Sequence, residues 1–161
     1  MSKKKIELVK ASVAGLPETA FNALFSDVSR IIESRKCAIA QQANSGFALM
    51  YWEVGKRINK EILNNARASY GKKIVMALSS QLESKYGVSF KTDNLRRMMQ
   101  FARQFEDIQI VASVTRQLSW GHIREILPLE TMEAKLYYVG EAAKGMLGVK
   151  ALRNLISRKG Y

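Results

Sequence analysis

Apolar residues recur every three or four positions along most of the chain, which is the spacing of one buried face of an α-helix. The first such pattern predicts helix from about residue 18 to residue 65, and Pro17 stands just ahead of it. Ser45 and Gly46 interrupt the pattern. Because a glycine in a helix interior costs about 1 kcal/mol, the segment is either one kinked helix or a pair of helices.

A second and a third helix are predicted on either side of a short turn. The second follows a turn at residues 69–71 and ends at Gly87, which suits a left-handed cap. Thr92 then caps the third helix, with Asp93 in its first turn. A helix, a turn over residues 87–91 and another helix form the outline of a helix-turn-helix.

Shorter elements are predicted for the rest of the chain. Residues 108–114 are an apolar run too short to distinguish a helical turn from a small strand. Ser119 and Thr131 are the expected N-caps of two helices, and a turn between Gly145 and Gly148 precedes a last helix. The predicted fold is all-α, with a long N-terminal helix or helix pair, a helix-turn-helix-like unit and two to three short C-terminal helices.

The length and hydrophobicity of the chain fit one folded unit. Its 161 residues, 47% of them hydrophobic, can bury a core without disulfides or metal. We expect a single helical domain over residues 17–161, preceded by a basic flexible N-terminus over residues 1–16. Cys37 is the only cysteine and cannot form an internal disulfide, which fits a reducing compartment.

A cytoplasmic location and no membrane partner are predicted from the apolar segments. No uninterrupted apolar stretch approaches the roughly 20 residues that span a bilayer. The lysines at positions 3–5 are not followed by the apolar run of a signal peptide.

The charge of the chain points to a polyanionic partner. Lysine and arginine number 26 against 14 acidic residues, which gives a net charge of +12 and a sequence pI near 10.0. The excess is densest between residues 67 and 118. Nucleic acid is therefore the leading partner class, DNA before RNA; charge alone would also suit an anionic membrane surface, which ranks second and is not the predicted partner.

The third predicted helix carries side chains that suit a nucleic-acid groove. Arginine can bind guanine with two hydrogen bonds, asparagine and glutamine can bind adenine, and all of them can contact phosphate. The predicted nucleic-acid-binding residues on this helix are Asn94, Arg96, Arg97, Gln100 and Arg103, and the predicted flanking phosphate contacts are Lys72, Lys73, Lys85 and Lys91. The alternative is that these residue types simply populate a solvated helix face.

Catalytic chemistry finds little support in the sequence. His122 is the only histidine and cannot build a zinc site alone, and a nucleophilic pair with Cys37 is disfavoured because Cys37 lies inside an amphipathic helix pattern. The triplets Glu83-Ser84-Lys85 and Glu133-Ala134-Lys135 resemble a metal-dependent nuclease signature, but both lie in helical periodicity and not on adjacent strands. We therefore predict no catalytic residue, no metal site and no cofactor.

Large aromatic residues are a further candidate feature. They lie within apolar stretches, so packing is the expected role, and stacking on unpaired bases is the alternative. These residues are Tyr51, Trp52, Trp120, Tyr137 and Tyr138.

Four ordered motifs resemble the N-terminal domain of the YhcG family. They are Tyr51-Trp52-Glu53-Val54-Gly55, Tyr70-Gly71, the helix from Asn94 to Phe101, and Gln117-Leu118-Ser119-Trp120 followed by His122. The resemblance covers roughly residues 25–158. The chain departs from the family pattern in having Gly121 where serine is usual, and Leu147-Gly148-Val149-Lys150 where Trp-Ser-Val-Arg is usual.

This resemblance implies a module attached to a nuclease. In typical members the domain precedes a PD-(D/E)xK nuclease domain, which we expect to be absent from this sequence. The leading hypothesis is a DNA-binding helical module that delivers a nuclease domain or subunit to its substrate. A protein-interaction or dimerisation module, as a homodimer or in a nuclease or defence complex, is the second hypothesis, and an intact small nuclease is the third.

Overall fold

A computed structural model describes residues 16–41, 46–64 and 68–158 of the chain. These residues form eight α-helices and one 3-10 helix, with no strand among them, so the predicted all-α fold is confirmed. The α-helices are α1 (Glu18–Gln41), α2 (Gly46–Leu63), α3 (Ala68–Tyr86), α4 (Thr92–Gln104), α5 (Ile108–Gln117), α6 (Trp120–Ile126), α7 (Met132–Lys144) and α8 (Val149–Ser157). The 3-10 helix is Val88–Phe90. None of the described helices is long and apolar enough to cross a membrane.

The N-terminal segment is a pair of helices and not one kinked helix. α2 begins at Gly46, at the interruption in the apolar pattern. Ion pairs connect the two helices, from Arg57 to Asp27 at 2.8 Å and from Arg35 to Glu53. The hydrogen bond from Arg57 lowers the pKa of the Asp27 carboxyl below its usual 3.8. Beneath these ion pairs lies a shared apolar layer formed by Phe21, Leu24, Val28, Ile32, Met50, Val54 and Ile58.

The predicted turn at residues 69–71 is wrong, because α3 already begins at Ala68. Tyr70 is buried and stands one helical turn before Ile74, so it extends the apolar face of the helix. A Cβ added at Gly71 would lie 3.3 Å from the Ile62 side chain. This glycine therefore permits close packing against α2.

In the turn between α3 and α4, the predicted glycine cap is confirmed and the predicted N-cap is wrong. Gly87 follows α3 with a φ of +106°, a positive value that favours glycine, as predicted for a left-handed cap. Thr92, predicted as the N-cap of the next helix, is instead its first residue. The N-cap is Lys91, whose side chain makes no capping hydrogen bond.

Four helices follow α4, one more than the largest number predicted. The additional helix is α5, which contains the apolar run over residues 108–114 that the sequence pattern does not assign. Asp107 is its N-cap, and the Asp107 side chain accepts a hydrogen bond from the Gln109 backbone N–H at 2.8 Å. Ser119 and Thr131 cap α6 and α7 as predicted.

Two apolar clusters make up the core, and α2 and α4 contribute to both. The first cluster joins α1, α2, α3 and the 3-10 helix to α4. The second joins Ala48 and Trp52 of α2 and Phe101 of α4 to the C-terminal helices. Trp120 packs against both clusters.

Candidate nucleic-acid interface

The predicted groove-binding helix, α4, is in backbone contact with α2. An ideal Cβ built on Gly55 would lie 2.0 Å from the carbonyl oxygen of Met98 and 2.8 Å from the nitrogen of Met99. Only glycine permits this approach without displacing one of the helices. The buried side chains of α4 that pack inward are Leu95, Met98, Phe101 and Ala102.

Two side chains of α2 also bind backbone carbonyls near the end of α4. The indole N–H of Trp52 donates to the carbonyl of Phe105 at 2.7 Å, and the amide of Asn59 donates to the carbonyl of Met99 at 2.9 Å. These carbonyls lie in the C-terminal half of α4 and at its C-cap. α4 is therefore fixed from its middle to its C-cap by a glycine contact and two hydrogen bonds.

The outward face of α4 is cationic. Arg96 and Arg103 are exposed, and Arg97 is half-buried. Arg96, Gln100 and Arg103 stand at positions i, i+4 and i+7, so they share one face of the helix. The carboxylate of Asp93 lies 4.0 Å from Arg96 and is 85% exposed, so this contact leaves the arginine available.

The two amide side chains of the predicted site have internal partners. Asn94 donates to the carbonyl of Ser89 at 2.7 Å and accepts from the Trp120 indole at 2.9 Å. Gln100 donates to the carbonyl of Leu127 at 3.3 Å. Asn94 therefore holds the 3-10 turn and α6 together, whereas the weaker bond of Gln100 is easier to exchange.

The structure divides the four predicted lysines between two places. Lys85 lies in the last turn of α3 and Lys91 precedes α4, so both flank the 3-10 turn, and both are exposed. Lys72 and Lys73 are also exposed but lie near the start of α3. With 1.5 Å per helical residue, Lys72 is about 20 Å from Lys85.

His122, which was a candidate catalytic residue, serves as a helix-capping residue in the structure. The Nδ1 atom of His122 accepts from the Ser119 backbone N–H at 3.1 Å, and Nε2 lies 2.6 Å from the carbonyl of Leu147. A neutral histidine with its proton on Nε2 satisfies both contacts and completes the capping box of α6. Cys37 lies in α1, with its side chain outside the described part of the structure.

The two Glu-x-Lys triplets lie in helices, as their periodicity predicted. Glu83-Ser84-Lys85 belongs to α3 and Glu133-Ala134-Lys135 to α7. Lys135 is buried, its ammonium group donates to the carbonyl of Leu129, and burial lowers its pKa. No group of three or more His, Cys, Asp or Glu side chains that could hold a metal ion occurs in the described ranges.

A groove between α2 and α4 was not anticipated from sequence. This α2–α4 groove has a volume of about 600 Å³ and a largely apolar floor formed by Trp52, Ile62, Leu63, Met99 and Ala102. Its polar lining includes Lys56, Lys60, Arg103 and Glu106. Helical periodicity predicts which side of each helix is buried, but it does not predict the space that two packed helices leave between them.

The chain is similar in sequence to one protein family and to one curated protein. The family model of the DUF1016 N-terminal domain matches residues 27–161 of the chain. The chain is also similar to Putative nuclease YhcG of Escherichia coli (strain K12), with 25% identity over 118 residues. The match covers 73% of this chain and 32% of that protein, so it spans about a third of the relative's length. No solved structure matches the chain.

Proposed function

The chain belongs to the DUF1016 N-terminal domain family, as its four motifs predicted, and on that premise we propose that it is a helical module that binds nucleic acid for a nuclease. Duplex DNA is the proposed ligand, ahead of RNA. The nuclease activity itself is proposed to reside in a separate domain or subunit.

The observation that carries this proposal is the cationic face of α4 on a fixed backbone. Arg96 and Arg103 project from a helix whose backbone is held against α2 at Gly55. Side chains on a rigid helix need no backbone ordering when they bind, so more of the contact energy appears as affinity. The net charge of +12 adds long-range attraction for a polyanion.

Within this face we assign different roles to the arginines and the amides. Arg96, Arg97 and Arg103 are proposed to contact phosphates or guanine edges. Gln100 can reach a base only by exchanging its bond to Leu127, and Asn94 only by breaking two shorter bonds. The arginines should therefore contribute most of the affinity.

The lysines are proposed to contact phosphates at two places along the duplex. Lys85 and Lys91 would hold the backbone beside the 3-10 turn, and Lys72 and Lys73 would hold it farther along the duplex. If six phosphates are neutralised, affinity should fall about a thousandfold between roughly 50 and 200 mM salt.

Fluorescence anisotropy with labelled duplex DNA, single-stranded DNA and duplex RNA across a salt series tests the proposal. The double variant Arg96→Ala/Arg103→Ala should weaken duplex binding and reduce the salt slope by about two. The matched control is Arg124→Ala/Arg158→Ala, which removes two exposed arginines outside the proposed face. Equal losses in both variants, or no binding at low salt, would contradict the proposed face.

The nuclease hypothesis is tested with the same preparation. Incubation of the chain with duplex and single-stranded DNA, with Mg²⁺ or Mn²⁺, should leave the DNA intact if the chain acts only as a binding module. Metal-dependent cleavage that persists through further purification would overturn this part of the proposal.

A second function, docking of a partner protein, is favoured by the α2–α4 groove. Leu63 at this groove is 80% exposed, which is unusual for a leucine beside other apolar side chains. Lys56, Lys60 and Arg103 outnumber Glu106 around the apolar floor. The occupant that fits this chemistry is an acidic amphipathic helix of about three turns.

A designed peptide tests this second function. The probe is a labelled helix with leucines at positions i, i+4 and i+7 flanked by glutamates. Leu63→Asp should weaken its binding by at least about tenfold, whereas Met76→Asp, at another exposed apolar residue, should not. Unchanged affinity of the Leu63→Asp variant would exclude the groove as the docking site.

A further inference from the structure

A second hollow lies where α1, α2, α3 and the 3-10 helix meet. It has a volume of about 300 Å³, at the lower end of the range for small-molecule sites, which suits a single ring system. We call it the aromatic pocket, and its lining residues are Ile32, Lys36, Phe47, Met50, Tyr51, Tyr86, Ser89 and Phe90.

Four aromatic rings form a connected wall of this pocket. Phe90 packs edge-on against Tyr51 at 6.1 Å between ring centres and against Tyr86 at 5.9 Å. Phe47 lies 6.3 Å from Tyr51 and remains 42% exposed. An exposed ring continuous with buried rings offers a flat heterocycle both a stacking surface and an apolar interior.

Two ammonium groups lie near Tyr86, which lines the pocket; Lys36 lines the pocket as well, and Lys85 precedes Tyr86 in the chain. The Nζ atom of Lys36 is 5.4 Å from the centre of the Tyr86 ring, and that of Lys85 is 5.1 Å from it. Neither lysine has a carboxylate within ion-pair distance among the residues that the structure describes. Both ammonium groups are near the Tyr86 ring and lack a carboxylate partner, so a phosphate bound beside this ring would have cationic neighbours.

The polar atoms of the pocket differ in their partners. The hydroxyl of Tyr51 is hydrogen-bonded to the Ser89 side chain. The hydroxyl of Tyr86 is buried and has no hydrogen-bond partner in the described part of the chain. A buried hydroxyl without a partner is unfavourable, so Tyr86 contributes a polar group that the protein itself does not satisfy.

We propose that the aromatic pocket binds one unpaired nucleobase, with its phosphate held by Lys36 and Lys85. The proposal deepens the proposed nucleic-acid function and rests on it for the identity of the ligand. The pocket is next to the proposed duplex-binding face, because Phe90 and Ser89 line the pocket and α4 begins at Thr92. A strand held by α4 could therefore place a displaced base in the pocket.

The test compares three labelled duplexes of one sequence. The first is fully paired, the second contains one unpaired adenine, and the third has an abasic residue at the unpaired position. The protein should bind the second about tenfold more tightly than the first, and the third should lose that preference. The abasic duplex keeps the bend of the bulge, so it separates recognition of a base from recognition of bent DNA.

Two variants assign the preference to the pocket. Phe47→Ala and Lys36→Ala should each reduce the preference for the unpaired adenine severalfold while leaving affinity for the paired duplex nearly unchanged. Ile110→Ala is the control for Phe47→Ala, because it removes another part-exposed apolar side chain. Circular dichroism melting should show that all three variants remain folded.

The outcomes separate this proposal from the proposed function. Binding of paired DNA without a preference for the unpaired base, or with a preference that both variants retain, overturns the pocket and leaves the α4 face standing. If no DNA binds at low salt, adenosine 5′-monophosphate is titrated and observed by NMR. Shifts of the Phe47 and Tyr86 ring signals would then support the pocket without the duplex function, and unchanged signals would overturn both.

Discussion

Replacing Gly55 with alanine should force α2 and α4 apart. The new Cβ would lie 2.0 Å from the carbonyl oxygen and 2.3 Å from the carbonyl carbon of Met98. Both are backbone atoms, so no side-chain rotation can relieve the contact. The helices must separate by more than about 1 Å before ordinary van der Waals distances are restored.

The cost of this separation can be worked out from the contacts around Gly55. Overpacking of a core costs about 1–3 kcal/mol. The hydrogen bonds from Asn59 to Met99 and from Trp52 to Phe105 would lengthen, and each contributes about 1 kcal/mol. Alanine gains about 1 kcal/mol over glycine in helix propensity, which offsets part of the loss. The expected net loss is about 2–4 kcal/mol in the free energy of unfolding.

Urea denaturation measures this loss, with Gly140→Ala as the matched control. Gly140 lies in α7, is exposed, and would have nothing within 4 Å of an added Cβ. The control should be stabilised by up to about 1 kcal/mol, while the Gly55→Ala midpoint should fall with an unchanged denaturant slope. A Gly55→Ala protein at least as stable as the unmodified chain would refute the backbone contact between α2 and α4.

Three other changes test individual interactions. Arg57→Met should cost about 0.5 kcal/mol near neutral pH. The folded-state pKa of Asp27 is lowered, so the loss of stability should be present above pH 3.8, the unfolded-state pKa, and should disappear as the pH falls through the folded-state pKa. Urea denaturation at neutral and at acidic pH measures this change. Ser119→Ala should cost about 1 kcal/mol in thermal or urea unfolding by removing the capping box with His122, and a neutral effect would contradict that role. Lys135→Met should be neutral or stabilising at pH 7, because burial disfavours the charged amine of Lys135. The stability gained by the variant should shrink as the pH rises through the lowered folded-state pKa of Lys135 towards 10.5. A large loss of stability at pH 7 would contradict this account.

Helical periodicity predicted the fold well because most apolar positions face one side of a helix. It failed at residues 69–71, where Gly71 suggests a turn but lies inside α3. Gly71 instead accommodates Ile62 of a neighbouring helix. Such a contact depends on tertiary packing, and the local sequence around Gly71 carries no sign of it.

The candidate site was predictable in part for the same reason. The exposure of Arg96 and Arg103 follows from spacing along one helix. The partners of Asn94 and Gln100 do not, because Trp120 and Leu127 lie 26 and 27 residues away. The aromatic pocket was missed because periodicity assigns apolar residues to the core without showing where packing leaves room for a ligand.

The shared position of α2 and α4 in both apolar clusters bears on how the protein opens. Neither cluster can lose α4 without exposing side chains of the other, so the helix should exchange its backbone amide protons only through a large, cooperative opening. α8 contributes a single fully buried residue, Leu152, to the second cluster, so its amides should exchange through smaller local openings. Hydrogen exchange would then rank α4, which carries the proposed binding face, among the slowest of the described segments.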